Sequence, residues 1–266
     1  YNNYILGDNM VGYFLAYLLE NTTLILHKTL EELDYNSGPK TIPVSLLPLV
    51  SKHFEDTKIL EFERFYDDRG KYTSIMPKNF KNLYSLYTRG KTSVEESYYK
   101  TLKKYESFIS INNMGPEKSF DLFFEKIKET VNKRILNNTI TDIDLSGSIT
   151  VGTDVLKFNN IISTINMVDL TELESSGKIR NSIVENYNLN GFNLPHSDKF
   201  IYICRLDSAE DKTLSTLYKQ VLATGKPYFR KTYIGETIIY ESMRNIYEKT
   251  IEGNTILNYI ESTQIT

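Results

Sequence analysis

The residues with the clearest chemical potential stand at the start of the chain. "YNNYILGDNMVGYFLAYLLENTTLILHKT" sets Gly7 and Gly12 in a turn between a short apolar run and a helix-forming segment, with a second apolar run after it. A strand, a glycine turn and a helix bring the free N–H groups of a helix start against a phosphate or pyrophosphate. Gly7 permits the tight turn, and Gly12 permits close packing of helix on strand. A G-x-G-x-x-G pattern would place a further glycine at position 9; Asn9 stands there, a residue that tolerates unusual backbone angles. The acid that would end the second strand and hold two ribose hydroxyls is replaced by His27, followed by Lys28. A neutral imidazole accepts one hydrogen bond where a carboxylate accepts several. Two readings stand. In one, Gly7, Asn9, Met10, Gly12, His27 and Lys28 line a bound dinucleotide; in the other, this is the strand-to-helix turn of a generic α/β fold.

Elsewhere the candidates for chemistry are fewer. His53 follows a helical segment and His196 lies in "LPHSDK"; neither has an acid or a second ligand at metal spacing, so no metal site is expected. Cys204, the one cysteine, alternates with apolar residues in "KFIYICRLD" and reads as a buried, inert thiol. The stretch "KNLYSLYTRGKTSVEESYYKTLKKYESF" interleaves Lys and Arg with Tyr. Such a mixture stacks bases and holds phosphates, with Arg89 and Lys91 as phosphate candidates, or it is a solvated helical face whose tyrosines pack inward. In "GKPYFRKTYIGETIIYES", Arg230 shares a strand face with Tyr228. It either grips a substrate anion or pairs with Glu241 across the hairpin.

These residues need elements to position them. Apolar spacing predicts a strand at Tyr4–Leu6, a helix at Met10–Glu20 and a strand at Thr23–Leu26. A loop over Leu30–Ser45, a helix at Val44–His53 and a strand in "KILEFERFY" with a hairpin turn after it follow. Residues 79–110 read as helical and Phe120–Leu136 as an amphipathic helix. "TITDIDLSGSITVGTDVLKFNNIISTIN" reads as short strands around Gly and Asn turns, closed by the buried run "NIISTI". Leu214–Leu222 is expected to be a short helix, Arg230 and Tyr240 to lie on two strands around Gly235, and Met243–Thr266 to be helical and then irregular.

The 266 residues carry a net charge of −3, which gives no global attraction to nucleic acid or anionic membrane. One cysteine excludes a disulfide framework. The longest apolar runs are too short to span a bilayer, and Tyr4–Leu6 feeds a glycine turn rather than a signal-peptide pattern. A cytoplasmic setting, with no membrane partner, is the expectation.

Two longer stretches resemble a known family. "SFDLFFEKIKETVNKRILNNTITDIDLSGSITVGTDVLKFNNIISTIN" is similar to a segment of the flavin amine oxidase and UDP-galactopyranose mutase superfamily. There a helix leads to a strand beside the cofactor's adenine, and a hairpin and a returning strand follow. Thr139 and Ile140 match the adenine-side strand. Phe158–Ile165 matches the returning strand with Ser163 and Thr164 at its end, and Asn166 stands where proline is usual. "GKPYFRKTYIGETIIYES" resembles the mutases' strand pair near the sugar nucleotide's phosphates, through Tyr228, Arg230, Tyr240 and Glu241. The order of parts agrees over most of the chain, including a Gly-Pro loop at Gly38–Pro39, although the family's closing glycine segment is not recognisable after Tyr240.

The resemblance implies an α/β fold in which a Rossmann-like FAD-binding domain (1–70, 118–170 and 233–266) interleaves with a smaller α+β substrate domain (71–117 and 171–232). It implies FAD as cofactor, held by Gly7, Asn9, Met10, Gly12, His27, Lys28, Gly38, Ile140, Ser163 and Thr164. It also implies a nucleotide-linked or amine-bearing small-molecule substrate near Arg89, Tyr228, Arg230 and Tyr240. Three functions follow from it: a mutase- or amine-oxidase-like enzyme, a flavin-dependent lyase or oxidase acting on a modified nucleobase and so touching nucleic acid, or a non-catalytic relative that keeps the fold as a binding scaffold.

Overall fold

The computed structural model describes residues 2–7, 10–27, 38–87, 106–165, 167–187, 200–207, 218–242, 250–251, 254–255 and 258–263. In chain order the first elements are β1 (Asn3–Gly7), α1 (Met10–Leu18), β2 (Thr23–Leu26), β3 (Ile42–Pro43), α2 (Leu47–His53), β4 (Thr57–Leu60), β5 (Glu63–Asp68), β6 (Lys71–Thr73), α3 (Phe80–Tyr87) and β7 (Glu106–Ile111). Then come α4 (Pro116–Val131), β8 (Ile135–Asn137), β9 (Ile140–Asp144), β10 (Ser148–Val151), β11 (Asp154–Lys157), β12 (Asn160–Ser163), α5 (Met167–Leu173) and α6 (Lys178–Tyr187). The last are β13 (Phe200–Asp207), β14 (Tyr218–Thr224), β15 (Arg230–Ile234), β16 (Thr237–Ser242), β17 (Thr250–Ile251), β18 (Asn254–Thr255) and β19 (Asn258–Thr263).

Contacts divide the chain into two units: Tyr1–Tyr35 with Phe124–Lys199 and Gln264–Thr266, and Asn36–Phe123 with Phe200–Thr263. Both are discontinuous in sequence. Residues 36–70 and 233–263 join the second unit because β5 pairs in parallel with β14 and β16 pairs with both β13 and β15. Residues 171–199 fall in the first unit instead.

In the first unit four parallel strands lie in the order β12-β1-β2-β8. Ile5, Leu6, Leu24 and Ile25 are fully buried, as the central strands of a sheet covered on both faces must be. One face carries α1, whose Gly12, Tyr13 and Ala16 turn inward. Phe124 stacks on Phe14 of that helix and meets Tyr13 edge-on. The other face packs Leu6 and Ile25 against Ile140, Ile143, Ile149 and Val151 of the three-stranded meander β11-β10-β9. The meander turns at Gly147 (φ 128°) and Gly152 (φ 61°), backbone conformations costly for a side chain with a Cβ. Asp144 anchors the first turn by accepting from the Ser146 hydroxyl and backbone N–H, which holds its carboxyl below the usual carboxylate range.

The second unit is built on a seven-stranded sheet, β19-β13-β16-β15-β14-β5-β6. One face buries Cys204, Val221, Ala223, Tyr228, Tyr233, Ile238 and Tyr240; the opposite face packs Ile203, Ile234 and Ile239 with Phe108 of β7.

Several elements depart from the sequence-based expectation. The segment "ESFISI", expected in a helix, is β7, and all but its first residue are buried. The expected helix at Leu214–Leu222 is, in its described part, β14, held on both sides by β5 and β15. Helix α4 begins at Pro116 and gives way after Val131 to a 3-10 turn and β8, not a helix through Leu136. The run "NIISTI" is buried only at its last residue, Ile165: β12 is the edge strand among the described residues, and Ile162 is 42% exposed. The described residues beyond 249 form strands.

Candidate dinucleotide site

Three strand ends and one helix start define the site. The Gly7–Gly12 turn joins the carboxyl end of β1 to α1, and the two glycines face each other. A Cβ on Gly12 would lie 3.2 Å from the Gly7 Cα, 3.3 Å from the Leu24 Cδ1 and 3.3 Å from the Thr164 Oγ1. A Cβ on Gly7 would meet the same group of atoms, Leu24 Cδ1 at 3.0 Å nearest. Neither position has room for a side chain, so helix and strand approach at backbone distance. Thr164, just past β12, closes the third side: its backbone N–H and its hydroxyl both donate to the Leu6 carbonyl, at 2.8 and 3.2 Å. Ser163 accepts from the Ile165 N–H at 3.2 Å.

His27 sits just past β2, and its backbone N–H donates to the Gly7 carbonyl at 2.9 Å. Its ring is half-buried, and Nδ1 is fully buried without a hydrogen-bond partner among the described residues. A buried polar atom left in that state costs free energy unless a ligand or water meets it. The far end of α1 is held independently: the Arg134 guanidinium donates to the carbonyls of Ala16, Leu19 and Thr22.

The structure therefore brings together Gly7, Met10, Gly12, His27, Ser163 and Thr164 at the carboxyl ends of β1, β2 and β12. Helix N–H groups and their dipole at such an edge attract an anion. Asn9, Lys28 and Arg89 lie outside the described residues. Two expected members have other surroundings. Ile140 is 1% exposed and packs in the core between the two sheets, because the meander covers that face. Gly38 lies in the second unit, where a Cβ would touch the Ile203 side chain.

The expected substrate residues that the structure describes lie in the second unit. Tyr228 and Tyr240 are fully buried, with ring centroids 4.9 Å apart, in the core on one face of the seven-stranded sheet. Arg230 pairs with Glu241 directly across the hairpin: Nη2 donates to Oε1 at 2.5 Å and Nε to Oε2. The cross-hairpin ion pair is thus formed. Missed from the sequence were the buried polar side chains on the same sheet. Arg64 forks Nε and Nη2 onto the Gln220 Oε1, and Lys231 is buried beside the Tyr233 and Tyr240 rings. Their only signal was strand alternation, which does not distinguish a polar residue facing solvent from one facing a covered layer.

Cys204 is buried, and burial pushes its thiol up to about 11. Among the described residues no cluster of His, Cys, Asp and Glu is placed to hold a metal, and no helix is long and apolar enough to cross a membrane.

No protein-family model matches the sequence, and no curated protein matches it. Solved structures do. An oxidoreductase from Methanosarcina mazei aligns over 98% of this chain and 88% of its own, with a TM-score of 0.57 at 8% identity. A CLA-producing fatty acid isomerase from P. acnes aligns over 98% and 86%, with a TM-score of 0.55 at 10% identity. The PF1083 protein from Pyrococcus furiosus aligns over 93% and 80%, with a TM-score of 0.54 at 11% identity. With its parallel β12-β1-β2-β8 sheet and the glycine turn into α1, the chain has the mixed α/β, Rossmann-type fold that these proteins share.

Proposed function

We propose that the chain is a flavoprotein that binds FAD at the Gly7–Gly12 turn and acts as an FAD-dependent enzyme. The observation that carries this is the backbone-distance approach of Gly7 and Gly12 at the carboxyl end of a central parallel strand. The residues fit such a group: the two glycines bring strand and helix to backbone distance at the start of α1, and His27 stands just past β2, where an adenosine ribose would be gripped. Gly7, Asn9, Met10 and Gly12 would hold the pyrophosphate, His27 and Lys28 the adenosine end, and Ser163 and Thr164 the wall formed by the returning strand. When bound, the flavin supplies electron-transfer chemistry; the chain's own part is binding, orientation and exclusion of water.

The substrate class that suits the resemblance is nucleotide-linked or amine-bearing, as in UDP-galactopyranose mutases and amine oxidases, with a modified nucleobase as a variant of the second. The basic, tyrosine-rich stretch around Arg89 supports it. A second reading, a scaffold that retains the fold without turnover, is favoured by Asn9 and His27, which depart from the two positions most often devoted to the cofactor. The absorption spectrum of the purified protein, before and after saturation with FAD and gel filtration, tests the cofactor. A colourless protein after saturation overturns it. Bound flavin that no member of a UDP-sugar and amine panel reduces or turns over favours the scaffold.

A further inference from the structure

We propose that one edge of the seven-stranded sheet docks on the surface of an anionic phospholipid bilayer, through the β5–β6 hairpin and the bend that follows it. This surface lies wholly within the second unit, and its role does not depend on the cofactor. Strand β6 is the outermost strand of the sheet among the described residues. The bend after it leaves Ile75 78% exposed, more than any other large apolar side chain described, and Tyr72 of β6 is 48% exposed. An isoleucine held out in water gains from any apolar medium it can enter. A tyrosine suits the headgroup boundary, where the ring is apolar and the hydroxyl stays wet.

The same edge is cationic. Arg69, Lys71 and Lys78 are exposed. The acids of the hairpin are turned to internal tasks. Asp67 is fully buried, accepts from the Gly70 N–H and has the Lys226 ammonium at 3.8 Å. Asp68, the ladder partner of Lys71, is half-buried and accepts from the Thr224 hydroxyl. The β14–β15 turn braces the hairpin: the Arg69 N–H donates to the Thr224 carbonyl, and a Cβ on Gly225 would touch the Arg69 side chain. A chain of net charge −3 has no global attraction to an anionic surface, but such attraction falls off within a Debye length, so the local cations govern this edge. Cations beside protruding apolar side chains are what a peripheral membrane contact needs, charge for approach and apolar insertion for retention. A nucleic acid would use the cations and the tyrosine ring but has no place for Ile75.

Co-sedimentation of the full chain with vesicles tests this. The two surfaces are phosphatidylcholine alone and phosphatidylcholine with about three parts in ten of phosphatidylserine; a single-stranded oligonucleotide is titrated in parallel. The wild type should bind the anionic vesicles about tenfold or more tightly than the neutral ones, and less as salt rises. Ile75→Ser should weaken that binding about tenfold, and Lys71→Gln combined with Lys78→Gln by a similar factor or more. These side chains are exposed, so the variants should keep the wild-type melting temperature. The chain has no tryptophan, so Ile75→Trp places a single fluorescent reporter on the bend, and its emission should shift to the blue on anionic vesicles. No binding to anionic vesicles, equal binding to both kinds, variants that bind as the wild type does, a reporter that stays in water on bound vesicles, or binding to the oligonucleotide alone overturns the proposal.

Discussion

Arg134 holds the carbonyl of Ala16 at 2.7 Å across 118 residues of sequence. The same guanidinium reaches Leu19 and Thr22, so one side chain caps the carboxyl end of α1, where helix carbonyls otherwise lack partners and the dipole favours a cation. Arg134→Ala should destabilise the chain by about 1–2 kcal/mol. Arg134→Lys should recover only part of that, because an ammonium cannot fork over separate carbonyls. Chemical denaturation of the three proteins measures it.

Gly12→Ala should also destabilise, by about 1–3 kcal/mol. The sign is informative, because alanine in a helix is ordinarily better than glycine by about 1 kcal/mol. Here the added methyl meets the Gly7 backbone and two side chains. Thermal melts of the variant, run with and without FAD, should show lower stability in both and a smaller rise on adding the cofactor.

Removing Arg230 leaves Glu241, 5% exposed, without its bidentate partner. Arg230 is itself 30% exposed, so the loss falls between that of a surface pair and that of a fully buried one: about 1–3 kcal/mol for Arg230→Ala. Glu241→Gln should cost less than Arg230→Ala, since it leaves no buried charge unpaired. A double-mutant cycle by urea denaturation isolates the pair, and a coupling near zero would show that the pair contributes nothing.

Burial raises the Cys204 thiol from 9.0 to about 11. The folded state therefore keeps its proton at pH values where the unfolded chain releases it. The associated stability is complete below pH 9.0 and falls as the pH rises toward about 11, by on the order of 2 kcal/mol. Comparing the pH dependence of unfolding in wild type and Cys204→Ala removes the contribution of tyrosines and lysines that titrate in the same range. The native thiol should also resist disulfide reagents at pH 8 until denaturant is added.

The sequence was most legible where local pattern and tertiary setting agree. Thr23–Leu26 was expected as a strand with those bounds, and the hairpin about Gly235 was expected as found, because apolar runs and turn glycines mark both. It was misleading where pairing overrides propensity. "YKQVLAT" has the lysine, glutamine and alanine of a helix but is clasped between two strands. Likewise, the helix-like composition around "ESFISI" hid a buried strand. At the turn, the close approach of Gly7 and Gly12 was readable because backbone demands there restrict residue type. Ile140 was not, because the same strand pattern serves a cofactor wall and a core.

The interleaving of the two units sets an order on biosynthesis. The four-stranded parallel sheet has its last strand when Ser163 leaves the ribosome, so the glycine turn can close while the next hundred residues are still being made. The seven-stranded sheet cannot: β5 must wait for β14, about 150 residues later in the chain, before its open edge is covered. Such long loop closures are slow, and an unpaired strand exposed meanwhile invites association with other chains. During translation, the Glu63–Asp68 strand is therefore a part of the nascent chain in need of chaperone protection.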